Sequence, residues 1–334
     1  MTQTYEKGMH QLADGCWAWL QPDGGWGWSN AGLITDGDRS MLVDTLYDLK
    51  MTREMLARMR DTTPAARNID ILVNSHADGD HTYGNQLVSG ARIIASAATV
   101  DEFFKVTPET HQRIIENADV MGDGAKYVAG FIRDHGFTFS DISLTPPTES
   151  YDREAMIKVG DKDVHLINVG PAHTAGDTLV HSIADRVVYT GDILFLGVHP
   201  AIWDGSLSRW VEACDLILGL DIDVVVPGHG PLTDKAGVQL FKTYLQMVER
   251  ETRIRYEAGM KVEEAAADIR FEPPFDSWIV PERIVGSVNF LYRQWGSPFA
   301  EKDYMEVFGM VARYAQRRAK CLAGQHSAGC GHSH

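Results

Sequence analysis

Long apolar runs are missing from this chain. No stretch approaches the roughly 20 residues that span a bilayer as a helix, and Met1 to Ala13 is polar without an apolar core, so neither a membrane anchor nor a secretory leader is expected. Cysteine is scarce: the 334 residues contain four, Cys16, Cys214, Cys321 and Cys330, without the spacing of a disulfide framework. Cys16 falls in a strand-like stretch and Cys214 in a helix-like one, so both read as small buried hydrophobes with no catalytic part. Positive charge is also in deficit. Lys and Arg number 31 against 46 Asp and Glu, a net charge of -15, and no basic cluster flanks the motifs, which excludes a polyanionic partner such as nucleic acid. The expected compartment is the cytoplasm. The expected partner is a small-molecule substrate, a homodimer being compatible with the chain, and neither nucleic acid nor membrane is expected.

What the chain does have is a dense group of metal-type ligands. Ile71 to Val73 reads as a buried strand, and the next residues place His76, Asp78, Asp80 and His81 within six positions around Gly79. A strand end delivers such residues to the rim of a sheet, and a glycine lets the backbone turn so that side chains converge. Imidazole and carboxylate together suit zinc, iron or manganese; the competing interpretation is a solvated acidic turn. Three more strand ends carry the same residue types: His173 after Val164 to Val169, Asp192 after Arg186 to Tyr189, and His229 after Val224 to Val226.

In order and spacing these segments resemble the metallo-β-lactamase superfamily, whose pattern is His-x-His-x-Asp-His, then a histidine turn, a Gly-Asp and a Gly-His. The resemblance covers residues 15 to 235. It implies an α/β fold, a four-layer αββα sandwich over residues 1–235, with His76, Asp78 and His173 around one metal, Asp80, His81 and His229 around a second, and Asp192 bridging them. Zinc is the expected metal, with iron or manganese as alternatives. Asp78 departs from the pattern, which has histidine there; the flavodiiron branch also places a carboxylate, a glutamate, at this position and holds two irons. Asp44 resembles a position that supports the first metal loop from behind.

Around this frame, Cys16 to Leu20, Gly32 to Thr35 and Met41 to Asp44 read as strands, separated by a loop whose Trp26 and Trp28 either line a substrate pocket or cap the sheet edge. Residues 48–60 have helical periodicity, and Gly84 to Val88 is expected to open another helix. Residues 98–137 are mostly helical and longer than a connection requires, a candidate lid or a structural layer. Beyond Pro231 helices alone are expected: one through Phe241, Tyr244, Leu245 and Val248, capped by Thr233 and stopped near Gly259, one after Pro281, and one from about Asp303 to Lys320. Residues 236–320 thus form a helical C-terminal region. Residues 321–334 read as a disordered Cys/His tail, or one that binds metal transiently.

The function implied is a dinuclear metal-dependent hydrolase cutting an ester, thioester, lactone or amide bond through a metal-bound hydroxide. Asp80 would orient the water or take its proton. His199, in the loop after Asp192, is a second catalytic candidate that would contact substrate or shuttle a proton. The alternative function is a dinuclear iron redox protein of the flavodiiron type, motivated by Asp78 and opposed by the lack of an evident flavin-binding domain.

Overall fold

The computed structural model describes residues 5–202 and 205–325, the last four as backbone only. Twelve strands form two sheets. The first has the order β1 (Gly8–Ala13), β2 (Cys16–Leu20), β3 (Ala31–Asp36), β4 (Arg39–Val43), β5 (Ile71–Val73), β6 (Arg92–Ser96) and β7 (Glu149–Tyr151). It is antiparallel up to β4 and parallel from β4 to β7. The second runs β12 (Val224–Val226), β11 (Val187–Tyr189), β10 (Thr178–Ser182), β9 (Lys162–Asn168) and β8 (Glu154–Val159), antiparallel except for the β11–β12 pair.

The period of two along a strand sorts the core into layers. Cys16, Ala18 and Leu20 of β2, Ile71 and Val73 of β5, Val180 of β10 and Val187 of β11 point between the sheets and share one apolar cluster. Their alternates face outward: Leu42 and Leu72 into a second cluster under the helices, Leu179, Val188 and Val225 into a third. Tyr189 fits between the sheets because Gly32 opposes it; a Cβ there would stand 2.3 Å from the ring. Cys16 and Cys214 are both buried, and burial pushes each thiol up to about 12.

Helices cover both outer faces. α1 (Leu49–Thr62) starts at Asp48, whose carboxylate accepts from Met51 N, and buries Met55, Leu56 and Met59 on the first sheet. A short α2 (Gly79–Thr82) follows β5, and α3 (Ala97–Glu102), α4 (Pro108–Met121) and α5 (Asp123–His135) make up the helical insertion. On the side of the second sheet the chain forms α6 (Leu207–Gly219), α7 (Lys235–Glu257), α8 (Val262–Asp268), α9 (Ile284–Gln294) and α10 (Tyr304–Gln325), the last of which also packs on α5. These C-terminal helices share their cluster with the outer face of β10, β11 and β12, which completes an αββα sandwich. Among the described residues no helix is long and apolar enough to cross a membrane.

Several local expectations are corrected. Gly84 to Val88 does not open an α-helix: Asn85–Val88 is a single 3₁₀ turn, held by the Asn85 amide on Asn74 and the Thr145 carbonyl. The cap of α7 is Asp234, which accepts from Ala236 N, while Thr233 is engaged in a backbone pair with Val225. Beyond Pro231 the elements are helices alone, as expected, and Cys214 lies in the buried stripe of α6 with Leu207, Trp210 and Ile217, behind the Ser206 cap. α10 continues past Lys320 to Gln325, so the first residues assigned to the tail are helical; the remainder of that segment lies outside the described residues.

Candidate metal centre

Strand ends from both sheets meet at one edge of the sandwich. The turn after β5 brings His76, Asp78, Asp80 and His81, the β9–β10 connection brings His173, the turn after β11 brings Asp192, and that after β12 brings His229. Ligand atoms of His76, Asp78 and His173 lie within 4.8 Å of one another, as do those of Asp80, His81 and His229. Asp192 stands between the two groups. Its Oδ1 is 3.1 Å from His81 Nε2, and its Oδ2 is 3.4 Å from His173 Nε2, 3.5 Å from His229 Nε2 and 3.9 Å from His76 Nε2.

The four imidazoles are oriented alike. His173 Nδ1 donates to the Ala201 carbonyl at 2.9 Å, His229 Nδ1 to the Gly24 carbonyl at 3.0 Å, and His81 Nδ1 to Asp44 Oδ2 at 2.9 Å. Ser75 Oγ donates to Asp44 Oδ2 and so accepts from His76 Nδ1, 2.9 Å away. Each Nδ1 is thereby committed as a donor, and each Nε2 faces the common centre. Asp44 adopts φ 62°, a left-handed conformation that aspartate tolerates better than most residues. From there its two oxygens hold Ser75 N, Ser75 Oγ and His81.

The electrostatics are those of a centre prepared for cations. Burial raises the Asp192 carboxyl, but His229 and His81 outweigh it and hold it well below the usual range. Asp78 is lowered in the same way by His173 and His76 against the effect of burial, and Asp80 by His229. Burial lowers His173, His81 and His229, yet Asp78 and Asp192 carry His173 up to about 9, and Asp192 raises His81 and His229. Three buried atoms, His76 Nε2, His81 Nε2 and Asp192 Oδ1, have no hydrogen-bond partner among the described residues. Orphaned polar atoms of this kind are costly unless something coordinates them. Gly228 leaves the necessary room, because a Cβ there would lie 2.1 Å from Asp192 Oδ1. Nitrogen and oxygen donors in two triads with a carboxylate between them fit a pair of divalent ions of the zinc, iron or manganese type.

The centre opens into a cavity of about 390 Å³. Asp78, Asp80, His173, Asp192 and His229 line its base; Ile114 of α4, Val128 and Phe131 of α5, and Met305 and Phe308 of α10 line its walls. Trp26 borders it, stacked on Phe131 at 5.7 Å between centroids. Trp28 does not; it packs on Phe137 and donates from Nε1 to His135. The helical insertion therefore supplies a wall of the cavity.

His199 is not brought to the centre. It is buried among Phe271, Tyr244 and Trp278 of the C-terminal helical layer, with Nδ1 2.8 Å from the Tyr244 hydroxyl. Burial, with Arg283 nearby, depresses it to about 3, so it neither lines the cavity nor carries a proton near neutral pH. The loop leaves Asp192 in the expected direction, but Val198 pairs with Ile279 and turns the side chain into the second layer. Three cavity residues carry no sequence signal of their own. His111 of α4 lies 3.1 Å from the Tyr83 hydroxyl, Tyr47 stacks on Tyr83, and Arg283 approaches from the turn before α9.

Comparison with known proteins agrees with this architecture. The family model of the metallo-β-lactamase superfamily matches residues 24–229, more than half of the chain. A probable metallo-hydrolase of Methanocaldococcus jannaschii is 22% identical over 240 residues, 66% of this chain and 97% of that protein. The α subunit of a 2,4-dinitroanisole O-demethylase from a Nocardioides species is 30% identical over 86 residues, 25% of this chain and 26% of the subunit. Among solved structures, the sec-alkylsulfatase Pisa1 of a Pseudomonas species superposes with a TM-score of 0.64 at 14% identity, over 89% of this chain and 51% of that one. A metallo-β-lactamase from Pontibacter korlensis gives 0.53 at 15% identity, over 72% of this chain and 99% of that one. The chain thus spans about a quarter of the demethylase subunit and about half of the alkylsulfatase. With the sandwich, the ligand-bearing strand ends and the family match in agreement, the chain belongs to the metallo-β-lactamase superfamily.

Proposed function

We propose that this metal-dependent hydrolase works with a dinuclear centre and cuts an ester, thioester, lactone or amide bond in a small molecule with an apolar body. The observation that carries the reading is the pair of ligand triads within 4.8 Å, with Asp192 between them and three of their buried atoms unpartnered. His76, Asp78 and His173 would hold one ion, and Asp80, His81 and His229 the other; zinc is the first candidate for both. When bound, such a pair supplies Lewis acidity to the scissile group and makes water acidic enough to yield hydroxide near neutral pH.

The residues of the chain do the remaining work. Asp80, on the cavity face, orients the attacking water and takes its proton. Asp44 and Ser75 keep His81 and His76 in the required tautomer. The helical walls exclude water from the cavity and receive the apolar part of the substrate. A chelated sample assayed on a panel of thioesters, lactones, esters and β-lactams tests this reading: activity should vanish and return with added divalent ion. Full activity in metal-free protein would remove it.

The carboxylate at Asp78 favours one second reading, a di-iron redox protein, because a harder ligand suits iron. That reading requires two irons in the isolated protein and oxygen uptake after reduction. Zinc-filled protein without oxygen chemistry leaves the hydrolase alone.

A further inference from the structure

Arg283 is buried to 97%, being 3% exposed, yet it lines the cavity that the metal-type ligands open into. A guanidinium cannot shed its charge near neutral pH, so in a dry site it must be answered by an opposite charge. No carboxylate among the described residues forms an ion pair with it. Glu282 is engaged by the Tyr127 hydroxyl at 2.9 Å, and Asp80 and Asp192 face imidazoles, although both act on Arg283 at longer range. Its one hydrogen bond among the described residues runs from Nη1 to the His199 carbonyl at 2.9 Å, and Nε has no partner.

The side chain is nevertheless held in place. Its guanidinium carbon lies 3.9 Å from the centre of the Trp26 ring and 5.9 Å from that of Phe195. Phe195 in turn is parallel to the His229 imidazole at 5.1 Å, which sets Arg283 one aromatic ring away from the metal edge. The backbone is bent to deliver it: Val280 adopts φ 55°, ψ 48°, an unfavourable conformation for a β-branched residue, immediately before Pro281. Trp26 and the His199 carbonyl fix the fork from two sides, so its free edge is available without further ordering.

We propose that Arg283 is the anion-recognising residue of the cavity and that the substrates are amphiphilic anions. A carboxylate or sulfate-type oxyanion takes the free edge of the guanidinium, the apolar body lies against Phe131, Phe308 and Val128, and the bond to be cut reaches the metal edge. The assignment rests on the hydrolase reading for the bond that is cut, but the recognition step is independent of turnover.

Calorimetry on the full, metal-loaded chain tests it with two probes of equal tail, octane-1-sulfonate, a poor metal ligand, and octan-1-ol. The wild type should bind the sulfonate about 10-fold more tightly than the alcohol, the advantage of a charge-assisted hydrogen bond. Arg283→Met should abolish that preference with alcohol affinity unchanged, and Arg283→Lys should keep part of it. Equal binding of the two probes by the wild type overturns the proposal, as does a preference that survives Arg283→Met. Should Arg283→Met fail to fold, the wild-type comparison and Arg283→Lys decide alone: undiminished preference in Arg283→Lys would mean that no fork geometry is being read. Because these measurements involve no turnover, inactivity on the hydrolysis panel would sink the catalytic reading and leave this result standing.

Discussion

The base and the walls of the cavity are built by opposite strategies. The base comes from short turns at the ends of β5, β9, β11 and β12, where every imidazole has one nitrogen tied to a protein oxygen and the other directed inward. The walls come from α4, α5 and α10, which meet mainly through side-chain packing, Trp26 on Phe131 and on Phe308 and Tyr127 on Phe308, with few hydrogen bonds such as that from Arg133 Nη2 to the Ile115 carbonyl. Hydrogen bonds fix the base to within a narrow geometry, whereas apolar packing gives the walls a volume and a polarity. On the proposed function, the base would set what chemistry is done and the walls what it is done to.

Substitutions that separate the two should rank accordingly. Asp192→Asn removes charge from the residue that lies between both triads, and should lower kcat/KM by more than about 100-fold, beyond the range seen when only a ligand's supporting partner is lost. Metal analysis of the same variant should give less metal per chain, with circular dichroism unchanged. Asp44→Ala removes such a supporting partner from Ser75 and His81, and should weaken metal affinity by about 10- to 100-fold in a chelator competition. Both results would place the loss in the base.

A wall substitution should behave differently. Phe131→Ala should cost about 10-fold in kcat/KM for substrates with an apolar body, carried by KM, with kcat and metal content unaffected. A fall in kcat with KM constant would show that the wall takes part in the chemistry and would break the comparison. The smallest effect on activity is expected from His199→Ala, which removes a ring outside the cavity and keeps the carbonyl that holds Arg283: hydrolysis and its pH profile should hold, while the buried Tyr244 hydroxyl loses its partner and stability falls by about 1–3 kcal/mol in denaturant titration.

The same division explains what could be read in the sequence. Ligands delivered by strand ends are local signals, because an apolar run followed by His or Asp marks both the strand and the group at its tip; all seven expected ligand positions lie at one edge. The sandwich was legible through the family resemblance that these motifs carry and not through alternation, because β5 and β11 are uninterrupted apolar triplets buried on both faces. The walls were not. Arg283 stands 257 residues from Trp26, on whose ring it rests, and nothing near it in the chain distinguishes it from an arginine on a helix surface. His199 misled for the converse reason: its sequence distance from Asp192 is short, but the pairing of Val198 with Ile279 turns the chain away. Trp26 and Trp28 were equivalent as letters, and only the packing of α5 separated the cavity residue from the one beside Phe137.

Two triads and a shared carboxylate are proposed to hold a pair of metal ions on which hydrolysis depends. The most direct test is to titrate metal-free protein with a divalent ion while following both the bound metal per chain and turnover of the best substrate from the panel. Activity should rise to its maximum only as the second equivalent binds, and Asp192→Asn should no longer take up two. Full turnover at a single equivalent, or turnover with none, would contradict the proposal.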